Sequence, residues 1–305
     1  MAEYKLKDFF DTDVVRGIAS DISRAYPAFD AGSFVMCGVD GLDRLELIER
    51  GWHLAEALQK FMPQPFAKAV DVIVASLGPE HAGTDEFGMA PFRYLPHTLF
   101  VQRYGLDDFE AAMRAQYELT KRFSAESSIR AFLVRYPEKT YARLVEWAGD
   151  ENVHVRRLVS EGSRPRLPWA PRLSAFQENP QPVIALLELL KDDPERYVQR
   201  SVANNLNDIG KDHPELVVEV CRRWLAGAST GREWIVGHAL RSLVKKGHRG
   251  ALELLGVGGR ADVEIGGVRL FPPHVELGGK LRFTFDLTSS AKRLRRCSST
   301  MPCIS

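Results

Sequence analysis

The chain has 305 residues, 45% of them hydrophobic and 27% charged, with a formal net charge of +1. That is the composition of a soluble globular protein with a substantial core. No apolar run reaches the ~18 residues of a membrane span, and the first ten residues lack the apolar core of a signal peptide, so neither a membrane span nor a signal peptide is expected and a cytoplasmic protein is. The small net charge hides an asymmetry: −8 over residues 1–113, +6 over 114–250 and +3 over 251–305. Four cysteines, Cys37, Cys221, Cys297 and Cys303, show no metal-ligand spacing. No metal or organic cofactor is expected, and the first two read as buried thiols of a reducing compartment.

In chain order, the spacing predicts helices over 13–25, 41–61 and 65–76; Leu45, Ile48, Trp52, Ala55 and Leu58 keep helical spacing. Residues 78–92, rich in Gly and Pro, read as a loop. Helices resume over 93–104 and 107–121. Ser124 is placed to cap a helix running to Tyr136, which puts Glu126 in a first turn. Further helices are expected over 139–148 and 152–162. Pro165 and Pro168 then stop the chain in a kinked basic link, with Arg164 and Arg166 on an exposed turn. Helices follow over 182–191, 195–209, 214–226, 231–246 and 249–255.

The segment 150–161 aligns with 193–204, matching Val155 to Val198, Arg157 to Arg200 and Val159 to Val202. The offset of 43 residues falls in the range of HEAT-type helical repeats. A weaker third copy lies around 234–243. The expected fold is therefore all-α, a HEAT-like solenoid of stacked antiparallel helix pairs over 1–256, with a generic helical bundle as the alternative. The positive excess sits on the repeats. A basic concave surface suits a polyanion; solvated faces of exposed helices would explain the charge equally well.

After Gly256 the pattern changes. Val263, Ile265, Val268 and Leu270 suggest one strand and residues 280–287 alternate as a second. Two or three strands cannot close a sandwich, and residues 289–305 carry no strand pattern. Segment 257–305 thus reads as a β unit that begins and is cut short, by truncation or a shifted reading frame.

The helix around Arg200-Ser-Val-Ala-Asn-Asn-Leu-Asn-Asp-Ile-Gly-Lys-Asp-His-Pro214 is unusual. Val198, Val202, Leu206 and Ile209 form one apolar face, while Ser201, Asn205 and Asp208 fill a neighbouring stripe. Such residues compete for backbone hydrogen bonds within a helix, so the stripe is locally unfavourable and invites a use. Pro214 is placed in the first turn of the next helix, with Asp212 or His213 as its cap. This segment and Ser160-Glu-Gly-Ser-Arg-Pro-Arg-Leu-Pro-Trp169 resemble signature segments of the AlkC-type DNA alkylation repair proteins, which are 3-methyladenine DNA glycosylases built from HEAT-like repeats. Arg122-Phe-Ser-Ala-Glu126 with Ile129, Arg130 and Phe132, and Tyr26-Pro-Ala-Phe-Asp30, resemble further family segments. The resemblance covers about residues 5–287. Some family members carry an immunoglobulin-like domain after the repeats, so the resemblance implies that 257–305 is an incomplete immunoglobulin-like β segment; the chain departs there and at Ser127 and Ser128, where the family more often has apolar residues.

The resemblance implies base excision repair: hydrolysis of the N-glycosidic bond of cationic alkylated bases such as N3-methyladenine in duplex DNA, without base flipping. Such a base already carries positive charge and leaves without being protonated. What remains is to stabilise an oxocarbenium-like sugar and to position water, which carboxylates do. The resemblance implies Asp208, Glu161 and Glu126 as those carboxylates, forming a negative pocket, and Trp169 as an aromatic partner of the sugar or cationic base. Arg157, Arg164, Arg166, Arg200 and Lys211 are placed to hold phosphates. Plainer roles exist for each. Glu126 can serve a helix dipole, Glu161 a solvated helix end and Trp169 the core, while Asn204 and Asn205 can satisfy a neighbouring backbone. His154, His213 and His238 read as structural or surface residues. The expected partner is double-stranded DNA with alkylated bases, and the expected state a monomer. Two readings compete: a non-enzymatic repeat protein that binds distorted or branched DNA, and a helical protein-interaction scaffold.

Overall fold

Asp11 opens the first helix. Its carboxylate accepts the backbone N–H groups of Asp13 and Val14, both at 2.9 Å, which satisfies two of the donors a helix start leaves open. The computed structural model describes residues 5–84, 88–257, 263–275 and 278–289. The tail from residue 290, expected to carry no strand and including Cys297 and Cys303, lies outside the described residues. Helix α1 (Thr12–Ala25) buries Val15, Ile18, Ala19 and Ile22, one 3.6-period stripe. Helix α2 (Ala31–Val39), capped by Asp30 on Ser33 at 3.0 Å, was not expected. Its sequence is apolar nearly all round, so no polar face alternates to reveal a period. Helix α3 spans Leu47–Phe61 rather than starting at residue 41. Gly41 takes φ +71°, a left-handed turn that a side chain would resist, and separates α3 from what precedes it. Helices α4 (Phe66–Ser76), α5 (Leu95–Tyr104) and α6 (Phe109–Thr120) complete the N-terminal half, α3 packing on α5 and α4 on α6.

The repeats follow. Helix α7 (Ile129–Arg135) begins later than expected: residues 126–128 form a turn, and the Ser124 hydroxyl bonds Glu126 instead of capping the helix. Then come α8 (Pro137–Trp147), α9 (Val153–Gly162), α10 (Ser174–Glu178), α11 (Gln181–Leu190), α12 (Arg196–Ile209), α13 (Pro214–Leu225), α14 (Thr230–Ala239), α15 (Arg241–Lys245) and α16 (Arg249–Leu254). The expected helix over 231–246 is thus divided at Leu240. Pairs α8–α9, α11–α12 and α13–α14 pack internally, and α9, α12 and α14 pack on one another in a row. The 43-residue offset in sequence is therefore one step of the stack, as expected of a HEAT-like solenoid. Val198, Val202, Leu206 and Ile209 are buried as predicted. Pro214 is the first residue of α13, but neither Asp212 nor His213 caps it through its side chain.

Strands β1 (Val263–Phe271) and β2 (Arg282–Ser289) pair antiparallel, with Ile265 opposite Leu287 and Leu270 opposite Phe283. The register shifts between Gly266 and Arg269, where Gly267 takes φ +58°. Ile265, Val268, Leu270, Phe271, Phe283, Phe285 and Leu287 are all exposed. Among the described residues no helix is long and apolar enough to cross a membrane. Cys221 is buried, which pushes its thiol up to about 12, whereas Cys37 is only half-buried.

Candidate active site

The link after α9 is not the exposed turn its prolines suggested. Arg164 is buried, because two acids from different repeats take its guanidinium: Nη1 lies 2.5 Å from Glu161 Oε1, and Nε lies 2.8 Å from Asp208 Oδ2. Asp208 sits in the last turn of α12, and its second oxygen accepts from Lys211 at 2.8 Å. The Ser-Asn-Asp stripe of α12 faces α9. Ser201 donates to Glu161 Oε2 at 2.6 Å, and Asn205 donates to the Ser160 carbonyl at 2.8 Å. These inter-repeat bonds offset the locally unfavourable stripe, although Asn205 Oδ1 is buried without a partner among the described residues. Asn204, one residue over, accepts from Arg241.

The chain of charges continues outward. Arg157 Nη2 lies 3.6 Å from Glu161 Oε1, and its Nη1 pairs with Glu126 and bonds the Ser124 hydroxyl at 2.9 Å. Glu126, Arg157, Glu161, Arg164, Asp208 and Lys211 thus alternate in sign from surface to interior and back. Burial alone would raise Glu161, but Arg157 and Arg164, with the Ser201 hydroxyl, outweigh it and hold the carboxyl below its ordinary value. Burial opposes the charge of Arg157 too, and Glu126 and Glu161 reverse that, raising its pKa. Each of the three carboxylates expected to form a negative pocket is thus paired with a cation.

A cavity of about 290 Å³ opens beside the outer end of this chain. Glu126, Arg157 and Trp169 line it, together with Phe92, Phe123 and Tyr197. Glu161 and Asp208 lie behind it, 5% and 2% exposed. Glu126 Oε2 holds Arg157 and Ser124, while Oε1 accepts no bond from any described residue. Trp169 is 73% exposed at the rim and takes φ +60°, a backbone conformation rare for a non-glycine residue. A core role for this indole is thereby ruled out.

The five expected phosphate ligands divide. Arg157 and Arg164 are committed to the internal chain. Arg166 pairs with Asp212 at 2.6 Å and Lys211 with Asp208. Arg200 is exposed and has no ion pair among the described residues. Sequence reasoning missed Tyr197, whose ring packs 5.3 Å under the Arg157 guanidinium, and Arg130, which binds the link after α9. Tyr197 could have been noticed as the aromatic residue one turn before Ser201 on the same stripe. It also missed the place of His154, which is buried and lines the cavity; burial and His81 depress its pKa. Ser128, a departure from the family pattern, is buried and donates to Gln116 at 2.9 Å.

No family model matches the chain. An uncharacterized protein of Bacillus subtilis (strain 168), YhaZ, is 33% identical over 285 residues, covering 93% of this chain and 77% of that protein. The solved structure of an alkylpurine DNA glycosylase, AlkC of Pseudomonas fluorescens, bound to DNA containing an abasic site analog, is 38% identical with a TM-score of 0.87; the match covers 94% of this chain and 78% of that one. AlkD2 of Streptococcus mutans is 20% identical with a TM-score of 0.44, over 69% of this chain and 97% of that one.

Proposed function

The chain belongs to the AlkC family of DNA alkylation repair proteins, and from that premise we propose that it hydrolyses the N-glycosidic bond of cationic alkylated purines, N3-methyladenine among them, in duplex DNA. One observation carries the reading. Glu126 and Trp169 share the rim of one cavity, and Arg157 and Arg164 tie Glu126 to the buried carboxylates Glu161 and Asp208.

In the proposed reaction the bond from C1′ to the purine nitrogen breaks, and its electron pair neutralises the cationic base. The base leaves without an acid. The sugar carries positive charge, and water adds to C1′ and loses a proton, leaving an abasic site. Glu126, whose Oε1 accepts no bond from any described residue, meets the sugar first. Asp208 stabilises the charge and orients the water once a DNA phosphate draws Lys211 from its Oδ1; the Lys211 side chain is 43% exposed and has that freedom. Glu161 holds Arg157 and Arg164 in register. Trp169 stacks on the deoxyribose or the cationic base. Its exposure at the rim supports a lesion that stays in the duplex instead of being extruded as in most glycosylases. We assign this work to residues 1–256, apart from the strands β1 and β2 that follow.

The test is release of N3-methyladenine from methylated duplex DNA by the native chain and by Asp208→Asn. We expect release by the first and a loss of at least ~100-fold in the second. No release, combined with tight and salt-sensitive DNA binding, would replace this reading with the non-enzymatic DNA reader.

A further inference from the structure

Arg130 on α7 is a buried cation with no carboxylate paired to it among the described residues. A buried guanidinium ordinarily finds an acid, and three acids stand close by, yet Arg157, Arg164 and Lys211 take them. Burial, with the adjacent Arg164 charge, brings its pKa down to about 10. Its donors go to backbone instead. Nη1 bonds the Gly162 carbonyl at 3.1 Å and the Arg164 carbonyl at 2.7 Å, Nε bonds the Pro171 carbonyl at 3.0 Å, and Nη2 bonds Pro171 as well.

These acceptors are the two ends of one short stretch. Between them run the Arg164 side chain and Trp169 in its left-handed conformation. A conformation of that kind persists only where the surroundings over-determine it. Two further contacts close the stretch: the Leu173 N–H bonds the Pro165 carbonyl at 3.1 Å, and Gly162 packs so close to α7 that an added Cβ would lie 2.5 Å from Ile129 Cγ2. The rigid planar fork of arginine fits such a bridge; a lysine ammonium is a single point and cannot span both ends.

We propose that Arg130 is a positioning residue: by clamping the backbone at Gly162, Arg164 and Pro171 it holds Trp169 at the cavity rim. The proposal rests on the reading of Trp169 as the residue that meets the substrate, but the clamp itself can be tested without it.

The experiment compares the native chain, Arg130→Lys, Trp169→Phe and the double variant. Emission of Trp169 is obtained as the difference between each protein and its Trp169→Phe counterpart. We expect Arg130→Lys to unfold cooperatively, to change acrylamide quenching of Trp169 at least two-fold, and to slow single-turnover base release at least ten-fold. The double variant is expected to be no slower than Trp169→Phe alone, because both changes act through one side chain. Unchanged quenching and rate in Arg130→Lys, or rates in the double variant that multiply, would overturn the clamp. Should the native chain release no base, the glycosylase reading fails while the quenching comparison still decides for or against Arg130. Should Arg130→Lys not fold, hydrogen exchange on the native protein decides. The Arg164 and Leu173 amides are expected to be protected as strongly as those of α7, and exchange at the rate of an open loop would sink the proposal.

Discussion

Arg164 places Nε 2.8 Å from Asp208 Oδ2 across 44 residues of chain, joining the link after α9 to the last turn of α12. Both side chains are buried, and the pair is neither free nor isolated. Arg164 also serves Glu161, and Asp208 also holds Lys211. Removing Arg164 would strand two buried carboxylates, with Arg157 at 3.6 Å and Lys211 at 2.8 Å as partial compensation. Arg164→Met is therefore expected to cost about 3 kcal/mol, the lower end of what breaking a buried pair costs. Urea unfolding measures it; a midpoint equal to the native one would show the pair to be energetically idle.

The stack of helices was legible in the sequence because apolar spacing and a 43-residue offset are local, periodic signals. Helix α2 was not, because a segment apolar on all sides has no period. The fate of Arg164 was not legible for a different reason. Pro165 and Pro168, which follow it, speak only for the backbone turn, while the acids that bury the side chain come from α9 and α12. The residues brought together at the cavity show the same divide. Glu126 and Trp169 were named through family segments, Arg157 through its repeat partner Arg200. Phe92, Phe123 and Tyr197, which form the walls, carry no motif, and their meeting depends on the stacking angle of the repeats. Arg130 was quoted only as part of a family segment; its role lies in backbone carbonyls, which sequence does not mark.

The strained backbone of Trp169 separates stability from function. Glycine adopts φ +60° without penalty and a tryptophan does not. With 73% of its surface exposed, the indole offers little burial to lose. Trp169→Gly should leave folding stability unchanged or raise it by up to about 1 kcal/mol. Base release should fall at least ten-fold, the loss of about 1.4 kcal/mol of stacking or cation–π contact. A thermal melt and a single-turnover assay on one preparation read both effects. A stability loss of several kcal/mol would place the indole in the core after all.

Arg200 differs from the other expected phosphate ligands in being exposed and without an ion pair among the described residues. A phosphate contact from it would release about one counterion. Arg200→Gln should therefore weaken duplex binding uniformly across sequences and reduce the slope of log affinity against log salt by about 0.9. Arg166→Gln should reduce it less, because Asp212 already neutralises Arg166 in the free protein. Binding titrations at four salt concentrations distinguish the two, and an unchanged slope for Arg200→Gln would remove it from the DNA track.

His97 makes folding sensitive to mild acid. It is fully enclosed on α5; burial first, and the Arg93 charge second, lower its pKa from 6.5 to about 4. The sign follows from linkage. Above pH 6.5 the imidazole is neutral in both the folded and unfolded chains, and its contribution is fully present. As pH falls from 6.5 towards 4 the unfolded chain takes up a proton that the folded chain refuses, so stability drops, by about 3 kcal/mol at the lower limit. His154 and His238, also depressed by burial, act in the same direction, so a variant is needed to isolate His97. His97→Gln removes the proton-binding group whatever it costs in packing. Urea midpoints at pH 7, 5.5 and 4.5 should decline less steeply in the variant than in the native chain, and parallel declines would assign the acid sensitivity to other groups.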